Sequence, residues 1–119
     1  NFFPRYMNVL KPYHSSINEV RIEGHTSSVW NRYVSESEAY FKNMDLSQGR
    51  TRSVLEYVYD IPDILEYQQW IKSNIAAVGL SSSKIILDDN GKEDKALSRR
   101  VSFRVLTNAD IQIRRILQE

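Results

Sequence analysis

The sequence contains no cysteine, which excludes disulfides, thiol nucleophiles and thiolate metal sites together. It has only two histidines, His14 and His25, too few and too isolated for a His-based metal site. No apolar run approaches the ~20 residues that a membrane-spanning helix needs, and no signal peptide is legible. Neither sign of charge dominates: sixteen Lys and Arg against fifteen Asp and Glu leave a net charge of +1. The basic excess usual in nucleic-acid binders is missing, so no nucleic-acid partner is expected. No low-complexity linker and no internal repeat divides the chain.

What remains is ordinary globular composition, 41% hydrophobic and 26% charged over 119 residues. A chain of this size can bury a core without metals or disulfides, and residues 1–119 are read as a single domain. The chain opens at Asn1-Phe2-Phe3-Pro4 with no initiator Met, which reads as a piece of a longer protein.

Periodicity gives a first map. Tyr6, Val9, Leu10 and Tyr13 recur at helical spacing between Arg5 and Ile17, with Pro12 kinking that helix or marking its last turn. From Glu19 the period changes to two: Val20 and Ile22 alternate with Glu19, Arg21 and Glu23, a half-buried strand ended by Gly24. Ser35 and Glu38 have capping-box spacing, so a short helix is expected from about Glu36. Asp45 or Ser47 would cap a longer helix carrying Leu46, Val54, Leu55 and Val58 on its apolar face. Pro62 would break it, and Asp63 would start another, with Ile64, Leu65, Tyr67, Trp70, Ile71 and Ile75 on its apolar side and Gly79 as its stop. Ile85-Ile86-Leu87 reads as a buried strand, Asp88-Asp89-Asn90-Gly91 as a turn, and Val101, Phe103 and Val105 as the inward residues of a last half-buried strand. The tail, residues 108–119, is a helix candidate through Ile111, Ile113, Ile116 and Leu117. Strands alternating with helices imply an α+β sandwich, with helices on one face of a small sheet.

Three stretches in order carry a family resemblance. Val20-Arg21-Ile22-Glu23-Gly24-His25-Thr26 is a strand entering a Gly-His-Thr turn. Asn43-Met44-Asp45-Leu46-Ser47-Gln48-Gly49-Arg50-Thr51 is similar to an Asn-x-x-Leu-Ser-x-x-Arg-Ala helix start. Ser98-Arg99-Arg100-Val101 is similar to Asn-Arg-Arg-Val at a last strand. Together they resemble the OmpA-like peptidoglycan-binding family, from Val20 to Val105. The resemblance implies a βαβαβ mixed sheet backed by helices, with the stem peptide of peptidoglycan as ligand, held mainly through diaminopimelate. It implies no cofactor, a periplasmic location and a membrane-attached parent. Added segments after Thr26 and around 61–77 resemble the OmpA-like tails of ion-driven motor subunits, MotB relatives and the B subunits of antiphage motors among them.

The chemistry of such a site has its own logic. A free carboxylate suits unpaired N–H groups at a helix N-terminus, and an arginine one turn along adds a charge-assisted fork. With the positions that the resemblance implies, the expected binding residues are Leu46 and Ser47 through their backbone, Arg50 for the carboxylate, Asn43 for orientation, Thr26 and Ser27 at the turn, and Arg99. Taken singly each has a plainer reading: Arg50 as a solvated helix charge, Asn43 as a cap, one of Arg99 and Arg100, which alternation puts on opposite faces, as an edge or structural ion-pair residue, and the aromatics Trp30, Tyr33, Tyr40 and Phe41 as packing. The family has Asp where this chain has Ser27, which removes a carboxylate that would meet the ligand's ammonium; Glu36 or Glu38 is the expected substitute. His25 beside Ser27 and Ser28 lacks a third group for nucleophilic catalysis, and Asp88–Gly91 lacks the remaining ligands of a calcium loop. The chain thus reads as a non-catalytic wall anchor. The alternative is an OmpA-like fold serving as a protein-interaction domain, including as a homodimer, with weak or lost peptidoglycan binding.

Overall fold

In the computed structural model, residues 2–109 are described. The tail expected to be helical lies outside the described residues from 110 onward. Helix α1 (Phe2–Leu10) runs into a 3-10 turn, Lys11–Ser16, with Pro12 in its first turn. Strand β1 (Ile17–His25) follows, then helix α2 (Glu36–Tyr59). A second 3-10 segment, Pro62–Tyr67, leads into α3 (Gln68–Asn74) and β2 (Ile75–Gly79). A long loop, the one-turn α4 (Lys95–Ser98) and β3 (Arg100–Thr107) complete the described chain. The sheet has the order β2-β1-β3, with β1 parallel to β2 and antiparallel to β3. A parallel pair requires a crossover, supplied here by α2 through α3. This is the α+β arrangement, and the βαβαβ order, that the resemblance implies.

Period two in β1 puts Val20 and Ile22 on one face, both fully buried. Phe3, Met7 and Leu10 of α1 join them, with Val58, Ile64, Tyr67 and Ile71 from the crossover. Burial of each such side chain contributes roughly 1.5–3 kcal/mol relative to exposure. The phase of α1 differs from the one its aromatics suggest: the helix begins at Phe2, so Phe3, Met7 and Leu10 face inward while Val9 and Tyr13 stay exposed.

Four further expectations are corrected. Gly24 does not end β1; it pairs with Gly79 and Val101 inside the sheet. The helix expected to run to Gly79 stops at Asn74, and Ile75-Ala76-Ala77-Val78-Gly79 becomes a strand, because a short apolar run fits either state until a neighbour offers a ladder. Ile85-Ile86-Leu87 is loop: Ile85 and Leu87 are exposed, and the segment contributes only the isolated bridge Leu87–Glu93. Finally, the short helix at Glu36 and the helix expected from Asp45 or Ser47 are one continuous α2. Ser35 caps it as its spacing predicts, its hydroxyl accepting the Glu38 N–H at 3.2 Å.

Helix α2 reaches the sheet through a stripe of small residues. Ala39, Asn43, Ser47 and Thr51, at intervals of four, are all buried. They let the helix lie almost on the strands. A Cβ added at Gly24 would meet the Ser47 carbonyl oxygen and the Thr51 methyl, each at 2.8 Å, and one added at Gly79 would meet the Ser47 hydroxyl at 2.7 Å. Glycine at both positions is a matter of space, not of backbone freedom.

Candidate functional site

Where β1 ends, three segments converge under the middle of α2. The Ser47 hydroxyl donates to the Met44 carbonyl at 3.0 Å and accepts the Ser81 N–H at 3.1 Å. Ser81 has φ of 54°, the left-handed region that a non-glycine residue adopts rarely. Three bonds hold it there: the Ser47 contact, its own hydroxyl to the Tyr40 carbonyl at 2.6 Å, and the Thr26 N–H to its carbonyl at 2.9 Å. Asn43 sits beside this junction with its amide donating to the Ser27 and Val29 carbonyls, both at 3.2 Å. The Thr26 hydroxyl donates to the Ser27 carbonyl at 2.9 Å. Thr26, Ser27 and Asn43 are each at least 97% buried. They build the junction rather than line an opening.

Next to it lies a cavity of about 280 Å³ lined by Gly24, His25, Ser47, Arg50, Arg99, Arg100 and Val101. That is slightly below the ~300–1,000 Å³ of sites for drug-sized molecules, so it suits one small polar head. The fold thus brings Arg99, distant in sequence, to one opening with Ser47 and Arg50 of α2. The guanidiniums of Arg50 and Arg99 have no hydrogen-bond or ion-pair partner among the described residues. Arg100 is different: it donates to the Ser98 and Lys84 carbonyls, both at 3.1 Å, and pins the loop before β3. Of the paired arginines, both line the cavity, and Arg99 is the one whose guanidinium is unengaged among the described residues.

Leu46 lines a neighbouring shallow hollow with Asp45, Gly49, Arg50, Ser53 and Val54, rather than the cavity. The expected backbone donors of Leu46 and Ser47 are also corrected. Both residues lie about three turns into α2, where their N–H groups are bonded within the helix. The site is therefore formed against a helix flank, and its positive potential comes from guanidiniums and not from a helix terminus.

Neither glutamate expected to replace the missing Asp reaches the cavity. Glu36 lines a separate hollow of about 530 Å³ with Trp30, Val34 and Tyr40, and Glu38 stays in the exposed first turn of α2. The acid that does meet the turn is Glu93. Its carboxylate accepts the Ser28 N–H at 2.9 Å and the Ser28 hydroxyl, a long-range contact with no sequence signal.

Sequence reasoning also missed the cavity's contribution from the end of β1. His25 is 5% exposed, its Nε2 lies 3.1 Å from the Ser102 hydroxyl, and its Nδ1 is buried without a partner. Burial lowers its pKa, Arg100 and Lys84 lower it further, and Glu23, at 3.7 Å, opposes them. A mostly neutral imidazole at neutral pH follows. No group of three or more His, Asp or Glu among the described residues is placed to hold a metal, and no described helix is long and apolar enough to cross a membrane.

No protein-family model matches the chain. Across all 119 of its residues the chain is 60% identical to the Zorya protein ZorB of Escherichia coli, and it spans about half, 51%, of that protein's length.

Proposed function

We propose that this chain is the wall-binding part of a Zorya-type motor subunit, and that it holds peptidoglycan without making or breaking a bond. The observation that carries this reading is the pair of guanidiniums, Arg50 and Arg99, that have no partner among the described residues and line one small cavity at the end of β1. A planar fork matches a carboxylate through two parallel charge-assisted bonds, and a stem peptide presents free carboxylates. Arg50 binds the acid group, Arg99 flanks it, and Ser47 sets the floor. Asn43, Thr26 and Ser27 keep the junction in place. The βαβαβ order agrees with the OmpA-like resemblance, and identity to ZorB over the whole chain supports a motor-subunit parent attached to a membrane, with this part in the periplasm.

The test is retention of the purified chain by sacculi. Wild type is expected to co-sediment, and Arg50→Ala, still folded by circular dichroism, to lose most of that retention. Equal co-sedimentation of the two removes the central role given to Arg50.

A second reading, a partner-binding surface, draws on the outward face of α1, where Phe2 and Val9 are more than 60% exposed and border a largely apolar hollow with Arg5 and Tyr6. A stator part can do both, holding the wall through one face and a second copy through another. Sedimentation equilibrium of wild type against Val9→Glu checks it: equal monomer fractions remove this surface from consideration.

A further inference from the structure

Among the described residues, the cavity that holds Arg50 has three guanidiniums in its wall and no carboxylate. Arg100 spends its donors on two carbonyls but keeps its charge there. The acids on adjoining segments are engaged elsewhere. Glu23 is buried, 3.7 Å from His25 and 4.0 Å from Arg104, and Glu93 is taken up by Ser28. Asp45 is exposed and lines the neighbouring hollow, not the cavity. Ser27, at the turn, is 2% exposed and offers its carbonyl to Asn43 and Thr26.

A ligand residue with both a carboxylate and a free amine therefore meets a partner for the first and a like charge for the second. An alkyl amine with a pKa of about 10 is protonated at neutral pH. Placed among guanidiniums it is repelled, and a pocket that sets like charges against a competing form discriminates against that form. Acylation of the amine removes its charge and leaves the carboxylate untouched.

We infer that this cavity recognises its ligand through carboxylate alone, and prefers a stem-peptide residue whose side-chain amine is acylated, as in a cross-linked wall peptide, over one whose amine is free. The inference rests on the wall-binding reading above and specifies its substrate class. It makes the chain a reader of cross-linked wall, the mechanically continuous part of the sacculus and the part suited to resist a motor's torque.

Two synthetic probes test it by calorimetric titration: the tripeptide Ala-γ-Glu-diaminopimelate with its side-chain amine free, and the same tripeptide acetylated on that amine. At about 50 mM salt the acetylated probe is expected to bind at least about threefold more tightly, with the gap closing as salt screens the repulsion. Arg99→Ala is expected to narrow the gap as well. Equal binding, or tighter binding of the free amine, overturns the inference while leaving wall binding standing. If neither probe binds, the inference is also overturned, and the sacculus sedimentation of Arg50→Ala then decides the wall-binding reading by itself.

Discussion

The hydroxyl of Ser47, in the middle of a 24-residue helix, accepts the backbone N–H of Ser81 at 3.1 Å, and that residue is held in the left-handed region. A helix flank and a strained loop residue are thus tied at the cavity's edge. Ser47→Ala leaves a buried N–H without a partner, a loss of about 1–3 kcal/mol. The urea midpoint should fall accordingly. Ser47→Ala should also weaken sacculus retention less than Arg50→Ala does, since Ser47 supports the site and the arginine touches the ligand. An unchanged midpoint would mean that the Ser81 N–H finds another acceptor.

Gly24 offers a stricter check on packing. Its missing side chain is filled by the Ser47 carbonyl and the Thr51 methyl, and backbone on that side does not yield cheaply. Gly24→Ala should destabilise by about 1–3 kcal/mol through overpacking. The paired substitution Gly24→Ala with Thr51→Ser removes the methyl and should recover part of the loss, leaving the carbonyl clash. No recovery at all would place the whole conflict on the backbone of α2.

The two arginines at the start of β3 should separate cleanly. The Arg99 guanidinium has no partner among the described residues, so Arg99→Ala should leave stability within about 0.5 kcal/mol of wild type while reducing sacculus retention. Arg100 anchors two carbonyls, so Arg100→Ala should lower the melting temperature. Retention through Arg50 and Arg99 should also fall as salt rises from about 50 mM to about 500 mM, since the Debye length over which exposed charges act shrinks from about 14 Å to about 4 Å in that range. Salt-independent retention would point to apolar contacts instead.

Stability should fall on mild acidification. His25 has its pKa lowered by burial first, then by Arg100 and Lys84, against the pull of Glu23; His14 is lowered by burial and Lys11. For a histidine whose folded pKa lies below the unfolded value of about 6.5, the unfolded chain binds the proton first. Stability is then full above about pH 7 and declines as pH drops through about 6.5 toward the folded value. The charged groups acting on His25 are Glu23 on its own strand, Arg100 on β3 and Lys84 on the loop, and Arg50 and Arg99 line the same cavity. The urea midpoint should be lower at pH 5.5 than at pH 7.5, and His25→Asn should shrink that difference. A midpoint that rises on acidification contradicts the assignment of a neutral buried imidazole.

Local chemistry was readable wherever neighbours along the chain decide it. Alternation placed Val20 and Ile22 inward, and Ser35 with Glu38 marked the start of α2; in β3 it held for Phe103 and Val105, which pack against the core, but not for Val101, which is 42% exposed, while Leu106 is the buried residue. Asp88 and Gly91 announced their turn, in which the Asp88 carboxylate accepts the Asn90 N–H at 2.9 Å and Gly91 takes φ of 78°. The same short motifs picked out Arg50 and Arg99, which the fold does bring to one cavity. The buried stripe of α2 was not readable, because Ala39, Asn43, Ser47 and Thr51 are small and polar, and hydrophobic periodicity is blind to a face that packs by closeness. Nor was β2, whose five residues become a strand only because β1 offers them a parallel edge. The unpartnered charges of Arg50 and Arg99, the Ser28–Glu93 clamp and the burial of Ser27 belong to the same class. Hydrogen bonding, crowding and field at a site depend on groups distant in sequence, so only the assembled fold sets them; turn, cap and strand alternation depend on groups a few residues apart, and the amino-acid order alone sets those.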